Sequence, residues 1–143
     1  MRRVLRAFTL VEILIVVIVL GILAAIVVPQ FSDASTDAKD NSLKTNLQII
    51  RGQIELYKMQ HNTLPVVATF GDQLTQYTDS SGGTSATKDA THIYGPYLQT
   101  IPNNPFTATN DVTAEAVAST KAWYYNATTG EFRANDSVAH RAY

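Results

Sequence analysis

Sixteen consecutive apolar or glycine residues, Ile13 to Val28, constrain this chain more than anything else in it. Counted from Phe8 the segment has 21 residues. As an α-helix that is about 31 Å, close to the roughly 30 Å hydrocarbon thickness of a bilayer. Arg2, Arg3 and Arg6 precede it, the charge asymmetry that keeps an N-terminus cytoplasmic. Yet Glu12 sits inside its leading edge, one helical turn after Phe8. A carboxylate placed in hydrocarbon costs roughly 2.5–3.5 kcal/mol. A plain membrane anchor accounts for the apolar length and leaves Glu12 unexplained. A secretory signal peptide has an apolar region of about 7–15 residues and a small-residue cleavage site. Here the run is longer and ends in Val27-Val28-Pro29 without such a site.

The rest of the 143-residue chain has room for one small domain. It contains no cysteine, so it has no disulfide and no thiol chemistry. Residues 62–143 hold four basic and seven acidic side chains, which is no surface for a nucleic acid. There is no G-x-S-x-G, H-E-x-x-H or P-loop motif. His61, His92 and His140 are far apart, and each is expected to pack or to face solvent.

Beyond the apolar run, Leu43, Leu47, Ile50, Ile54 and Tyr57 recur at steps of four and three. That period marks one face of a helix, expected to pack on the C-terminal part of the chain. Pro29 lacks an N–H and is expected to kink the helix that contains it. Leu64-Pro65 is expected to end it. "TFGDQLTQY" reads as a short helix, with Thr69 as N-cap and Asp72 in a capping-box-like position. "DSSGGTSATKDAT", residues 79–91, reads as a mobile loop. "YGPYLQTIPNNPF" reads as an ordered turn. "KAWYYN" and "EFRAN", separated by "ATTG", read as a β-hairpin. In "NDVTAE", Asp111 and Glu115 precede the aromatic strand. Loop carboxylates of this kind are either solvated or candidate calcium ligands.

"RAFTLVEILIVVIVLGILAAIVVPQF" resembles the class III signal of type IV pilins and of type II secretion pseudopilins. The resemblance is specific over residues 6–31. It implies that a prepilin peptidase removes a leader of residues 1–7 by cutting between Ala7 and Phe8, and that the new amine of Phe8 is methylated. Ala7 departs from the glycine that more often ends such leaders. Glu12 takes the position of the family glutamate. There it offers a counter-charge to the amine of its own Phe8 or of a neighbour's, answering the need of both buried charges for a partner. "GPYLQTIPNNP" and "WYYNATTGEFRAN" are similar to stretches of major pseudopilins, which also favours that branch over the cysteine-bearing pilins. Major pseudopilins often hold calcium in C-terminal loops, so the resemblance points to calcium at Asp111 and Glu115.

The expected fold is α+β and pilin-like: a long N-terminal helix packed on a small C-terminal antiparallel sheet. Its parts are the leader 1–7, an apolar helix 8–31, an amphipathic helical half 32–64 and a head 65–143. The expected function is structural, not enzymatic: a subunit of a periplasmic pseudopilus of a type II secretion system, assembled from the inner membrane by bundling of N-terminal helices. Its implied partners are other copies of itself, minor pseudopilins, the prepilin peptidase, the inner-membrane assembly platform and lipid. A subunit of a type IV pilus is the near alternative. A membrane-anchored periplasmic binding protein and a membrane-tethered enzyme are more distant ones.

Overall fold

A computed structural model describes residues 8–115 and 121–143. The chain divides into two units at Ala38/Lys39. One helix, α1 (Leu10–His61), contributes to both.

In the first unit the helix is apolar around its whole circumference from Ile13 to Val28, and no residue from 8 to 39 is buried within the chain. An apolar surface of this kind is stable only in lipid or against other apolar helices. The helical assignment runs through Pro29. Proline there removes one backbone hydrogen bond from the ladder.

In the second unit α1 turns amphipathic. Leu43, Leu47, Ile50, Ile54, Tyr57 and His61 are buried, so the face foreseen from the spacing is the packed face, one turn longer than expected. The helix stops at His61 because Asn62 takes a left-handed φ of 55°, a conformation asparagine tolerates at helix ends. The stop therefore falls before Leu64-Pro65, and the helical part of the expected segment 32–64 ends three residues early.

The head completes the core with α2 (Phe70–Thr75) and with strands β3 (Val112–Thr113), β4 (Trp123–Tyr125) and β5 (Phe132–Ala134). β4 and β5 are antiparallel and pair Tyr124 with Arg133. Trp123, Tyr125, Phe132 and Ala134 point inward, the period of two that the aromatic stretches implied. Asn126 makes the turn: its Oδ1 accepts the amides of Thr128 (2.9 Å) and Thr129 (3.2 Å). Gly130 then takes φ +80°, and a Cβ there would lie 3.1 Å from Leu64 Cδ2.

The sheet is not purely antiparallel. β3 runs parallel to β4 in the register Val112–Trp123. Parallel neighbours cannot be joined by a tight hairpin, because the chain must travel back before it pairs. Of the residues between the two strands, 116–120 lie outside the described residues.

Two other expectations change. Residues 79–91 are not a loose loop throughout: β1 (Tyr77–Thr78) pairs with β2 (Thr84–Ser85). Asp79 Oδ1 closes the turn by accepting from the amides of Ser81 and Gly83 and the Ser81 hydroxyl. Thr69 stands at the N-cap of α2, but its side chain makes no capping bond. Gln73 organises this region instead. Its Oε1 accepts the Val66 amide at 2.7 Å and its Nε2 donates to the Gly82 carbonyl at 2.9 Å.

His61 lies among three tyrosines, stacked on Tyr57 at 4.0 Å and edge-on to Tyr94 at 4.9 Å, with its Nε2 3.0 Å from the hydroxyls of both Thr78 and Tyr97. Burial holds its pKa below the ordinary histidine value, because the imidazolium loses hydration. Below about pH 6.5 the unfolded chain therefore binds a proton that the folded head resists. Stability from this group is present above that pH and is lost as pH falls. The melting temperature of a fragment comprising residues 32–143 is expected to drop between pH 7 and 5, and His61→Gln to flatten that part of the curve. An equal slope in the variant would remove His61 as the cause.

Candidate functional site

The N-terminal site is built by the start of α1. Phe8 precedes the helix and is 73% exposed. Thr9 is the cap: its Oγ1 accepts the Glu12 amide at 3.2 Å, and its carbonyl accepts the Ile13 amide at 3.3 Å. A helix leaves its first amides without intrahelical partners, and a threonine hydroxyl satisfies one of them. Thr9-Leu10-Val11-Glu12 is a T-x-x-E sequence, the spacing of a capping box. That signal is legible in the sequence beside the glutamate.

Glu12 thus lies in the first turn of α1, where the helix dipole favours negative charge. It is exposed, its carboxylate makes no hydrogen bond or ion pair with a described residue, and Phe8 lies four residues upstream. Ala7, the other side of the expected cleavage point, lies outside the described residues. The described part of the site thus presents an exposed chain end and an exposed carboxylate.

The loop expected as a calcium site is engaged otherwise. Asp111 Oδ1 accepts the Thr109 hydroxyl at 2.7 Å and the Ala122 amide at 3.3 Å. Its Oδ2 lies 3.2 Å from Lys121 Nζ, and its carbonyl accepts the Trp123 amide at 3.1 Å. Burial alone would raise this carboxyl. The bonds from Thr109, Lys121 and Ala122 outweigh it and leave the pKa below the usual range. Glu115 contributes main-chain groups: its amide donates to Thr113 Oγ1 and its carbonyl accepts from Asn135 Nδ2.

Calcium needs six to eight oxygens free to face it. Among the described residues no group of three acidic or histidine side chains is placed to hold a metal, and the Asp111 oxygens already face donors. The described part of the arrangement is a clip that fixes the entry to β4. Melting of residues 32–143 is expected to be the same in calcium and in chelator. Asp111→Ala should lower stability by about 1–2 kcal/mol in both, as loss of bonds to a charged, part-exposed group does. A calcium-dependent rise in the wild type that Asp111→Ala abolishes would restore the metal.

A cluster at the C-terminal turn is visible only in the structure. His140 Nε2 is 3.3 Å from Asp40 Oδ1, and its Nδ1 is 2.5 Å from Asp136 Oδ2. Its ring lies 4.4 Å from that of Phe106. Asp136 Oδ1 in turn accepts from the buried amide of Asn104 at 2.8 Å. Asp40, Asn104 and Phe106 are far from His140 in the chain, so spacing could not reveal their contacts; only Asp136 is local, four residues before it. They tie the 3₁₀ turn His140–Ala142 to the head's part of α1.

Comparison with known proteins bears on the N-terminal site. The family described as "Prokaryotic N-terminal methylation motif" matches residues 2–28. The chain is 41% identical over 64 residues to the type II secretion system core protein G of Pseudomonas aeruginosa, covering 45% of each protein. It is 26% identical over 99 residues to the core protein G of Aeromonas hydrophila, covering 69% of this chain and 66% of that one. It is also 47% identical over 45 residues to the type IV major pilin protein PilA of Myxococcus xanthus, covering 32% of this chain and 20% of the pilin. The match thus spans less than half the length of the Pseudomonas relative. No solved structure matches the chain. The resemblance read from residues 6–31 therefore holds: the N-terminus is a class III prepilin signal.

Proposed function

We propose, on the premise that residues 2–28 are a prepilin signal, that the chain is a structural subunit of the pseudopilus of a type II protein secretion system. In this reading a prepilin peptidase cuts between Ala7 and Phe8, and the amine of Phe8 is methylated. The subunit waits in the inner membrane with its N-terminus cytoplasmic and its head periplasmic. An assembly platform then moves it into a fibre with other copies and with minor pseudopilins. The apolar part of α1 meets two solvents in turn, lipid and then neighbouring helices, and Pro29 supplies the point where the helix can bend. The carrying observation is that a helix apolar around its whole circumference starts two residues after Phe8, behind a prepilin signal. No catalysis is assigned.

The type IV pilus reading is favoured by the similarity to the Myxococcus major pilin, and gene deletion separates the two. Loss of exported enzymes from the medium supports secretion. Loss of surface fibres and of twitching, with export intact, supports a pilus. A deletion that affects neither overturns both and leaves a tethered binding protein.

Processing is tested separately. The native protein is expected to begin at Phe8 with a methyl group on its amine, and its formal charge to change from −1 to −4 as Arg2, Arg3 and Arg6 leave. Intact-mass measurement reads this directly. A chain that still starts at Met1, or that starts near Ser32, contradicts the class III assignment.

A further inference from the structure

His140 stands between two carboxylates, one at each nitrogen of its ring: Asp136 at Nδ1 and Asp40 at Nε2. The side chains of His140, Asp136 and Asp40 are 15%, 7% and 26% exposed, so water answers little of their charge. Asp40 Oδ1 is itself buried and accepts no hydrogen bond from a described residue, which leaves the imidazole 3.3 Å away as its counter-charge. A neutral imidazole carries one N–H and one lone pair, whereas an imidazolium carries two N–H groups. A neutral ring here would turn its lone pair toward one of the carboxylates and leave that charge part-buried without a partner, at a cost. From α1 come also Lys39 and Lys44, but each meets an aromatic ring first: Lys39 Nζ lies 5.8 Å from the centroid of Phe106 and Lys44 Nζ 4.4 Å from that of Tyr143. Those rings lie 4.4 Å and 5.6 Å from the ring of His140. The segment that carries Phe106 brings the neutral amide of Asn104 to Asp136. The turn itself carries Arg141 and Tyr143, and Arg51 of α1 donates to the Tyr143 carbonyl.

We propose that the C-terminal turn is a proton-operated latch: an imidazolium at His140 bridges Asp40 of α1 to Asp136, and release of its proton to solvent loosens residues 136–143 from the helix. With the proton gone, two carboxylates face each other across a neutral ring. The turn then keeps only the Arg51 bond to the Tyr143 carbonyl, the Lys44 contact with the Tyr143 ring and the packing of His140 on Phe106. Tyr143 borders Leu47 in one groove of α1, so the open latch uncovers apolar surface on the helix. The sign follows from the bridge. The folded head holds a proton that the unfolded chain gives up above about pH 6.5. Stability from this group is therefore present in acid and is lost as pH rises. That is opposite to His61, whose contribution is lost as pH falls. The latch is a property of the head alone and stands whichever fibre the subunit joins.

The test uses the full chain in detergent, with nitrogen-15 in its three histidines. At about pH 7.5, roughly a unit above the ordinary value, a histidine without partners is about nine-tenths neutral. His140 should instead show two protonated ring nitrogens by nuclear magnetic resonance, with His140→Gln identifying its signals. Hydrogen exchange reads the latch itself. The amides of Ala142 and Tyr143 bond to the carbonyls of Ala139 and His140, and the His140 amide to Ser137 Oγ. Between about pH 6 and 9, and after correction for the intrinsic effect of pH, exchange in residues 136–143 should rise by about tenfold or more in the wild type. Asp40→Asn needs only one ring proton, because its amide donates to the Nε2 lone pair. It should keep the turn protected and show a rise of about threefold or less. A neutral His140 ring at about pH 7.5, a wild-type turn whose exchange does not rise, or an equal rise in Asp40→Asn overturns the inference. If Asp40→Asn does not fold, the ring nitrogens and the exchange of the wild type decide, in the same two directions. No outcome touches the fibre-subunit reading, which gene deletion tests.

Discussion

Glu12→Val is expected to insert in the membrane at least as well as the natural chain, and then to fail in assembly by a hundredfold or more. Insertion improves because a carboxylate that costs roughly 2.5–3.5 kcal/mol in hydrocarbon is replaced by an apolar side chain. Assembly suffers because the amine of Phe8 moves from headgroups into a bundle of helices without its counter-charge. Removing one partner of a buried ion pair typically costs about 3–5 kcal/mol. Leader cleavage should survive, since the cut lies on the other side of Phe8. The T-x-x-E sequence supplies a rival explanation, a glutamate side chain that reaches back to the Thr9 amide, although the structure shows only the Thr9 hydroxyl accepting the Glu12 amide. Glu12→Gln separates the two, because glutamine preserves the box and removes the charge. If Glu12→Gln is processed but gives as little sheared fibre as Glu12→Val, charge pairing stands. If Glu12→Gln assembles like wild type and Glu12→Val does not, the residue acts through the cap. Normal fibre from Glu12→Val would remove both roles.

Trp123→Ala should cost the head about 3–5 kcal/mol, as truncation of a large buried aromatic does. Trp123 is fully buried on β4 and packs 5.4 Å from the ring of Phe132. Its Nε1 donates to the Pro102 carbonyl at 3.0 Å, so the substitution leaves that carbonyl without its bond as well as opening a cavity. For a unit of about a hundred residues, each kcal/mol is worth roughly 4–8 °C. Melting of residues 32–143 should therefore fall by about 15 °C or more. Trp123→Phe fills most of the volume and should lose far less. A drop under 5 °C for Trp123→Ala would mean that the core can close over the site. Membrane insertion and leader processing should be untouched in either variant, because they depend on residues 2–28.

The features legible in the sequence are those written in local spacing. The apolar run, the arginines before it and Glu12 within it are consecutive, so the signal could be read residue by residue. The face Leu43 to Tyr57 was readable because a helix repeats every 3.6 residues, whatever packs on it. The aromatic hairpin was readable because alternation and the turn residues Asn126 and Gly130 act within a few positions of one another. The Thr9 cap was equally local.

What the tertiary structure decided depends on residues that meet only after the chain has folded. The parallel pairing of β3 with β4 joins residues eleven positions apart in the register, and two-residue strands carry too little pattern to announce themselves. The helix end at Asn62 rests on one backbone angle, against a proline signal three residues later that was stronger on paper. Asp111 looked like a free carboxylate because Lys121 is ten residues away, and only the fold brings the ammonium to it. His140 was a lone histidine until Asp40, a hundred residues upstream, came to face it. Sequence spacing records which side chains share an element. Whether a charge is free or already answered is a property of distance in space, and that was set by the packing of the head around Trp123 and Tyr57.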